Sequence, residues 1–99
     1  MSATLTVIYW RDIPAQVIGT GSAGSARMQL SEPFQHAIDA AAMRADLIEA
    51  DLYLEEWRQE SRPCGDELDE AVATEVARLE AEFAPDILRQ LIRSGGHRV

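Results

Sequence analysis

Cys64 is the residue whose type and setting come nearest to chemistry. It is the single cysteine of the chain, and it stands in the run Arg62-Pro63-Cys64-Gly65-Asp66. A helix start predicted at Asp66 would put the thiol near a helix N-terminus, and Arg62 would favour a thiolate if it folded back. Asp66, Glu67 and Asp69 act the other way, by repelling negative charge. No second cysteine is present to resolve a disulfide, and neither histidine lies nearby in sequence. The simpler reading is a half-buried structural thiol in a turn. The sharper one is a reactive thiol assisted by Arg62.

Trp10-Arg11-Asp12 is the second cluster. An aromatic followed by a charged pair at the end of a strand is one of two things. It is a corner that packs and salt-bridges itself, or it is a contact surface, since Trp and Arg are enriched at interface hot spots. Trp57 would join it if the two tryptophans lie on neighbouring strands. Trp10, Arg11, Asp12 and Trp57 are therefore the candidate partner-binding residues.

Other constellations are weaker. Gly19-Thr20-Gly21-Ser22-Ala23-Gly24 matches G-x-G-x-x-G in letters, but a dinucleotide site needs a helix directly after it. The next residues, Ser25-Ala26-Arg27-Met28-Gln29-Leu30, read as a strand, so a hairpin loop is the better account. His36 and His97 are far apart and suggest no metal site. A Ser–His–Asp set has no motif support. No cofactor is expected. All nine basic side chains are arginine, which excludes Schiff-base chemistry and a phosphate-binding lysine of the Walker type.

The elements that must position these residues emerge from periodicity. Thr4-Leu5-Thr6-Val7-Ile8-Tyr9-Trp10 is β-branched and aromatic and reads as a strand. Pro14 interrupts it, and Ala15 to Gly19 should form a second strand after a turn. Gly19 to Ser25 reads as a flexible loop. Ser31-Glu32-Pro33 is a helix start, with Ser31 placed to cap. Phe34, Ile38, Ala41, Ala42 and Ala45 then give one apolar face that should fade near Leu47. Asp51 to Arg58 fits a strand or a helix, and the strand is preferred. Gln59 to Gly65 reads as a loop. From Asp66, Leu68, Val72, Val76, Leu79 and Phe83 make one helical stripe, while Glu75, Arg78 and Glu82 fall away from it. Glu75 and Arg78 can pair at i, i+3. Asp86 to Arg93 is a short amphipathic helix. The expected fold is α+β, a small and mainly antiparallel sheet of three to four strands. Two main helices pack on one face, with a short C-terminal helix added. Residues 1–94 should be one domain and 95–99 a flexible tail.

At 99 residues the chain suits one core rather than two. Its net charge of −8 is uneven, with residues 66–82 setting seven carboxylates against Arg78 alone. Such a surface disfavours nucleic acid. Leu5 to Trp10, the longest uncharged apolar run, is too short to cross a bilayer. Met1-Ser2-Ala3-Thr4 has no signal-like character, and with one cysteine a cytoplasmic location is the expectation.

The run Thr4-Leu-Thr-Val-Ile-Tyr-Trp-Arg-Asp-Ile-Pro-Ala-Gln-Val17 resembles the opening signature of the bacterial virulence factor domain family. Further similarities are Gln29-Leu30-Ser31 with Phe34, Ala37-Ile38-Asp39 with Ala41-Ala42-Met43-Arg44, Tyr53-Leu54 with Trp57, and Arg62-Pro63-Cys64-Gly65. They span about residues 3–83. The resemblance implies a domain also found inside proteins similar to conserved virulence factor C. There it lies between a region like the N-terminal domain of Nfu-type iron–sulfur scaffolds and HEAT-type repeats. It carries over no catalytic residues to this chain. Stand-alone members look like companions of one-carbon and corrinoid methyltransferase systems. The expectation is an accessory or protein-interaction module with a protein partner, its oligomeric state left open. The alternative is a thiol-dependent enzyme or carrier using Cys64.

Overall fold

The computed structural model describes residues 3–22, 24–46 and 50–98. Among the described residues, four strands and four helices run in the order β1 (Ala3–Trp10), β2 (Ile13–Gly21), β3 (Gly24–Gln29), α1 (Glu32–Arg44), α2 (Ala50–Leu54), β4 (Trp57–Cys64), α3 (Leu68–Glu82) and α4 (Pro85–Arg93). The fold is α+β. Its strands form one antiparallel sheet in the order β3-β2-β1-β4, so β1 is flanked on both sides and β4 is an edge.

Alternation along β1 sets the inner face. Ala3, Leu5 and Val7 are buried, and Thr4, Thr6 and Ile8 between them are half-buried. Val7 pairs with Val17 and Leu5 with Gly19, which carries the same face onto β2. The predicted stripe of α3 supplies Val72, Val76 and Leu79, with Phe83 just past its end, and all four are buried. Each such side chain stabilises the fold by about 1.5–3 kcal/mol. This helix lies chiefly over β2 and β3. A Cβ on Gly19 would stand 3.1 Å from Val72 Cγ2, so glycine lets helix and strand approach. Phe34, Ala37, Ile38, Ala41 and Ala42 of α1 complete the core with Leu88 and Leu91 of α4. The alanines allow close contact between α1 and α4.

The β1–β2 ladder slips between Ile8 and Tyr9, because Ile8 faces Gln16 and Tyr9 faces Pro14. Ala15 is therefore an extra residue, a β-bulge. Pro14, read as a strand breaker, sits buried inside β2 at this irregularity, where a proline is tolerated.

Several expectations need correction. Asp51 to Arg58 is not one strand: α2 ends at Leu54 and β4 begins at Trp57. Gln59 to Cys64, read as loop, is strand, paired with β1 from Ala3↔Cys64 to Trp10↔Trp57. It lacks the apolar alternation of a strand because residues 58–63 are all exposed at the sheet edge. Polar and charged side chains are common on such edges. The glycine-rich loop is also shorter than expected. The strands run through Gly19 to Gly21 and resume at Gly24, so the G-x-G-x-x-G letters form a hairpin. Ala23 lies outside the described residues. Helix α1 ends at Arg44, and Leu47, where it was expected to fade, also lies outside them. Ser31 holds the N-cap position, but its hydroxyl and amide bond the Glu80 carboxylate, each at 2.7 Å. The N-cap of α3 is Glu67, not Asp66. Residues 94–98 lie against the β1–β2 turn, with Gly95 and Gly96 buried, and Val99 lies outside the described residues.

Candidate functional site

Two places gather the residues that the sequence singled out. The first is the turn joining β1 to β2. Arg11 adopts φ +53°, a left-handed conformation unusual for a residue with a long side chain. Three hydrogen bonds to two residues, Glu56 and Gly95, hold it there. Its amide donates to the Glu56 carbonyl at 3.0 Å, its Nε to Glu56 Oε1 at 2.7 Å and its Nη1 to the Gly95 carbonyl at 2.8 Å. Asp12 is as fully engaged. Its amide donates to the Gly96 carbonyl at 2.9 Å, and its carboxylate accepts from the Arg98 amide at 2.6 Å and Arg58 Nη2 at 3.2 Å.

Trp10 is completely buried. Its indole N–H donates to the Tyr53 carbonyl at 2.9 Å, and its ring stacks on Tyr53 at 5.5 Å between centroids. Trp57 stands opposite Trp10 in the ladder and meets Tyr53 edge-on at 6.0 Å. The structure thus brings Trp10, Arg11, Asp12 and Trp57 together around Tyr53 and the C-terminal segment. Their polar groups bind that surrounding chain, and Trp10 presents no surface to solvent. Trp57, half-buried at the start of β4, is the aromatic member with a reachable surface.

The second place is a groove between β4 and the outer flank of α3. It exists because α3 sits over β2 and β3 and leaves the β4 side of the sheet uncovered. Its volume is about 470 Å³, and Leu5, Arg62, Pro63, Cys64 and Gly65 line one side. Glu67, Glu70, Ala71, Thr74 and Glu75 of the α3 end line the other, at the spacing of one helical stripe. Cys64 is the last residue of β4 and is half-buried. It precedes the first residue of α3 by four positions, further from the helix start than the sequence suggested. Arg62 is engaged by the helix instead: its Nη2 donates to Glu75 Oε1 at 2.8 Å.

The sequence pairs Glu75 with Arg78 but sets it away from the apolar stripe, and the structure keeps the pair and buries the carboxylate. Its side chain is 2% exposed, and it takes two hydrogen bonds from Arg78, at 2.6 and 3.0 Å, besides the one from Arg62. The Arg78 hydrogen bonds, and then that of Arg62, hold its carboxyl down to about 2 against the opposing effect of burial. The same bonds raise both guanidinium groups. The i, i+3 spacing from Glu75 to Arg78 was visible in sequence. The third member was not, because Arg62 was assigned to a loop. The ion triad clamps the edge strand to α3. Charge in the groove beyond the triad is all acidic: Asp66, Glu67 and Glu70 form no ion pair among the described residues.

No group of three or more His, Cys, Asp or Glu side chains able to hold a metal occurs among the described residues. No helix among them is long and apolar enough to cross a membrane. A family model described as "Virulence factor" matches residues 8–92, most of the chain. No curated protein and no solved structure gives a match.

Proposed function

Because the chain belongs to the virulence factor family, we propose that it is a small accessory domain that acts by binding a protein partner and catalyses no reaction of its own. The observation that carries this reading is the open flank of β4. An eight-residue edge strand lies beside a groove whose two walls are joined by the Glu75 ion triad. Unpaired edges and pre-formed grooves are surfaces that proteins use for partners. Trp57 stands at one end of that edge, and Arg62 and Cys64 at the other. Trp10, Arg11 and Asp12 support the surface by fixing the turn and Tyr53 behind Trp57. The partner belongs, on this reading, to an iron–sulfur scaffold or a one-carbon or corrinoid methyltransferase system, an association that the family resemblance suggests.

The test is affinity capture on the immobilised chain, then purification of the recovered protein and titration. A saturable complex of fixed stoichiometry supports the reading. Recovery of nothing that saturates contradicts it.

A second reading has one observation in its favour. Cys64 shares the groove with Arg62, so a small electrophile could reach the thiol with a guanidinium nearby. Against it, Arg62 is drawn to Glu75 and the remaining charges are acidic. Alkylation at neutral pH separates the two. A rate well above that of the unfolded chain favours a thiol function, and an equal or lower rate favours a structural cysteine.

A further inference from the structure

Building on the accessory-domain reading, we propose that the flank between β4 and α3 takes an extended basic segment of the partner, added to β4 as a fifth strand. Three features converge on it. First, β4 ends the four-stranded sheet. In an antiparallel ladder alternate residues of an edge strand direct their N–H and C=O groups outward, ready for another strand. Second, the groove lies over the sheet face next to that edge. Long side chains on the inward face of the added strand would reach across β4 toward Glu67, Glu70, Ala71 and Thr74. A strand edge gives affinity through the main chain, and an adjoining groove gives specificity through alternate side chains.

Third, the charge of the groove selects the ligand. Asp66, Glu67 and Glu70 are exposed and unpaired among the described residues. The two guanidinium groups next to the groove, those of Arg62 and Arg78, are taken up by Glu75. A segment with arginine or lysine at alternate positions meets three free carboxylates, whereas an acidic segment meets repulsion. Leu5, Ala71 and Cys64 leave some apolar floor for the stems of such long side chains.

The experiment uses the full chain and a fluorescent decapeptide of alternating arginine and threonine, read by anisotropy at physiological ionic strength. Two further probes carry N-methyl groups, one on every arginine amide and one on every threonine amide. Each blocks one edge of the peptide and leaves its charge intact. Strand addition uses one edge, so one methylated probe should bind about tenfold more weakly than the other. Equal binding by the two overturns the proposal. The second arm compares the Glu67→Gln/Glu70→Gln variant with Asp51→Asn/Glu55→Gln, which loses the same charge on α2 and the residue just after it. The groove variant should weaken binding about fivefold or more and the α2 variant less than about twofold. Equal effects mean that only net charge is felt, and they too overturn the proposal. If both arms fail while a saturable partner is still captured, the strand-addition geometry is wrong and the accessory-domain reading stands.

Discussion

Arg62 and Glu75 join the sheet edge to the helix beside it. Arg62 Nη2 lies 2.8 Å from Glu75 Oε1, with the carboxylate buried and the arginine half-exposed. Arg78 completes the clamp from the next turn of α3. The flank proposed to receive a partner owes its shape to these three residues.

Acid should loosen that clamp. The folded-state pKa of Glu75 is lowered from 4.5 to about 2. A depressed carboxyl pKa adds stability that is complete above the unfolded value and disappears as pH falls through the folded one. With both arginines half-exposed, the contribution is on the order of 2 kcal/mol. Glu75→Gln should therefore lower stability by about that amount at neutral pH. The gap between wild type and variant should close between 4.5 and about 2. Urea denaturation across this range checks it, and a gap that does not change with pH would contradict the ion triad.

Trp10 should be far more costly to truncate than Trp57. Trp10→Ala empties a fully buried site and strands the Tyr53 carbonyl, a loss of about 3–5 kcal/mol. Trp57 is only half-buried, so Trp57→Ala should cost clearly less. Denaturation midpoints for the two variants decide the matter.

Gly96 should resist any side chain. Its φ is +97°, and a Cβ would stand 2.9 Å from Trp10 Cζ3. Gly96→Ala should cost about 1–3 kcal/mol through backbone strain and displacement of the C-terminal segment. At Gly65 a Cβ would meet nothing within 4 Å, so Gly65→Ala should fall within about 0.5 kcal/mol of wild type. Chemical denaturation of the two variants makes the comparison. Equal effects would mean that residues 94–98 do not pack on the turn.

The strongly periodic elements could be read from sequence, and the edge could not. Leu68, Val72, Val76, Leu79 and Phe83 declare their helix because one face is buried against the sheet. Thr4 to Trp10 declare a strand because β1 is central and alternates. Trp57 to Cys64 carry no such signal, since an edge strand exposed along most of its length is held by backbone pairing, which leaves no side-chain pattern. The groove was hidden for the same reason: half of it is that strand. The turn at Trp10–Asp12 was recognised as a cluster, but its partners lie far along the chain, at Glu56, Gly95, Gly96 and Arg98. Local sequence cannot reveal contacts of that span.

The most direct test of the binding surface is a titration of the captured partner against two charge-matched variants of α3. Thr74→Arg places a bulky side chain in the groove, whereas Ala77→Arg places the same side chain on an exposed position that does not line it. Both add one positive charge to the same helix. Thr74→Arg should weaken the complex by about tenfold or more, and Ala77→Arg should leave it within about twofold of wild type. Undiminished binding by Thr74→Arg, or equal loss in both variants, would show that the partner does not use the flank between β4 and α3.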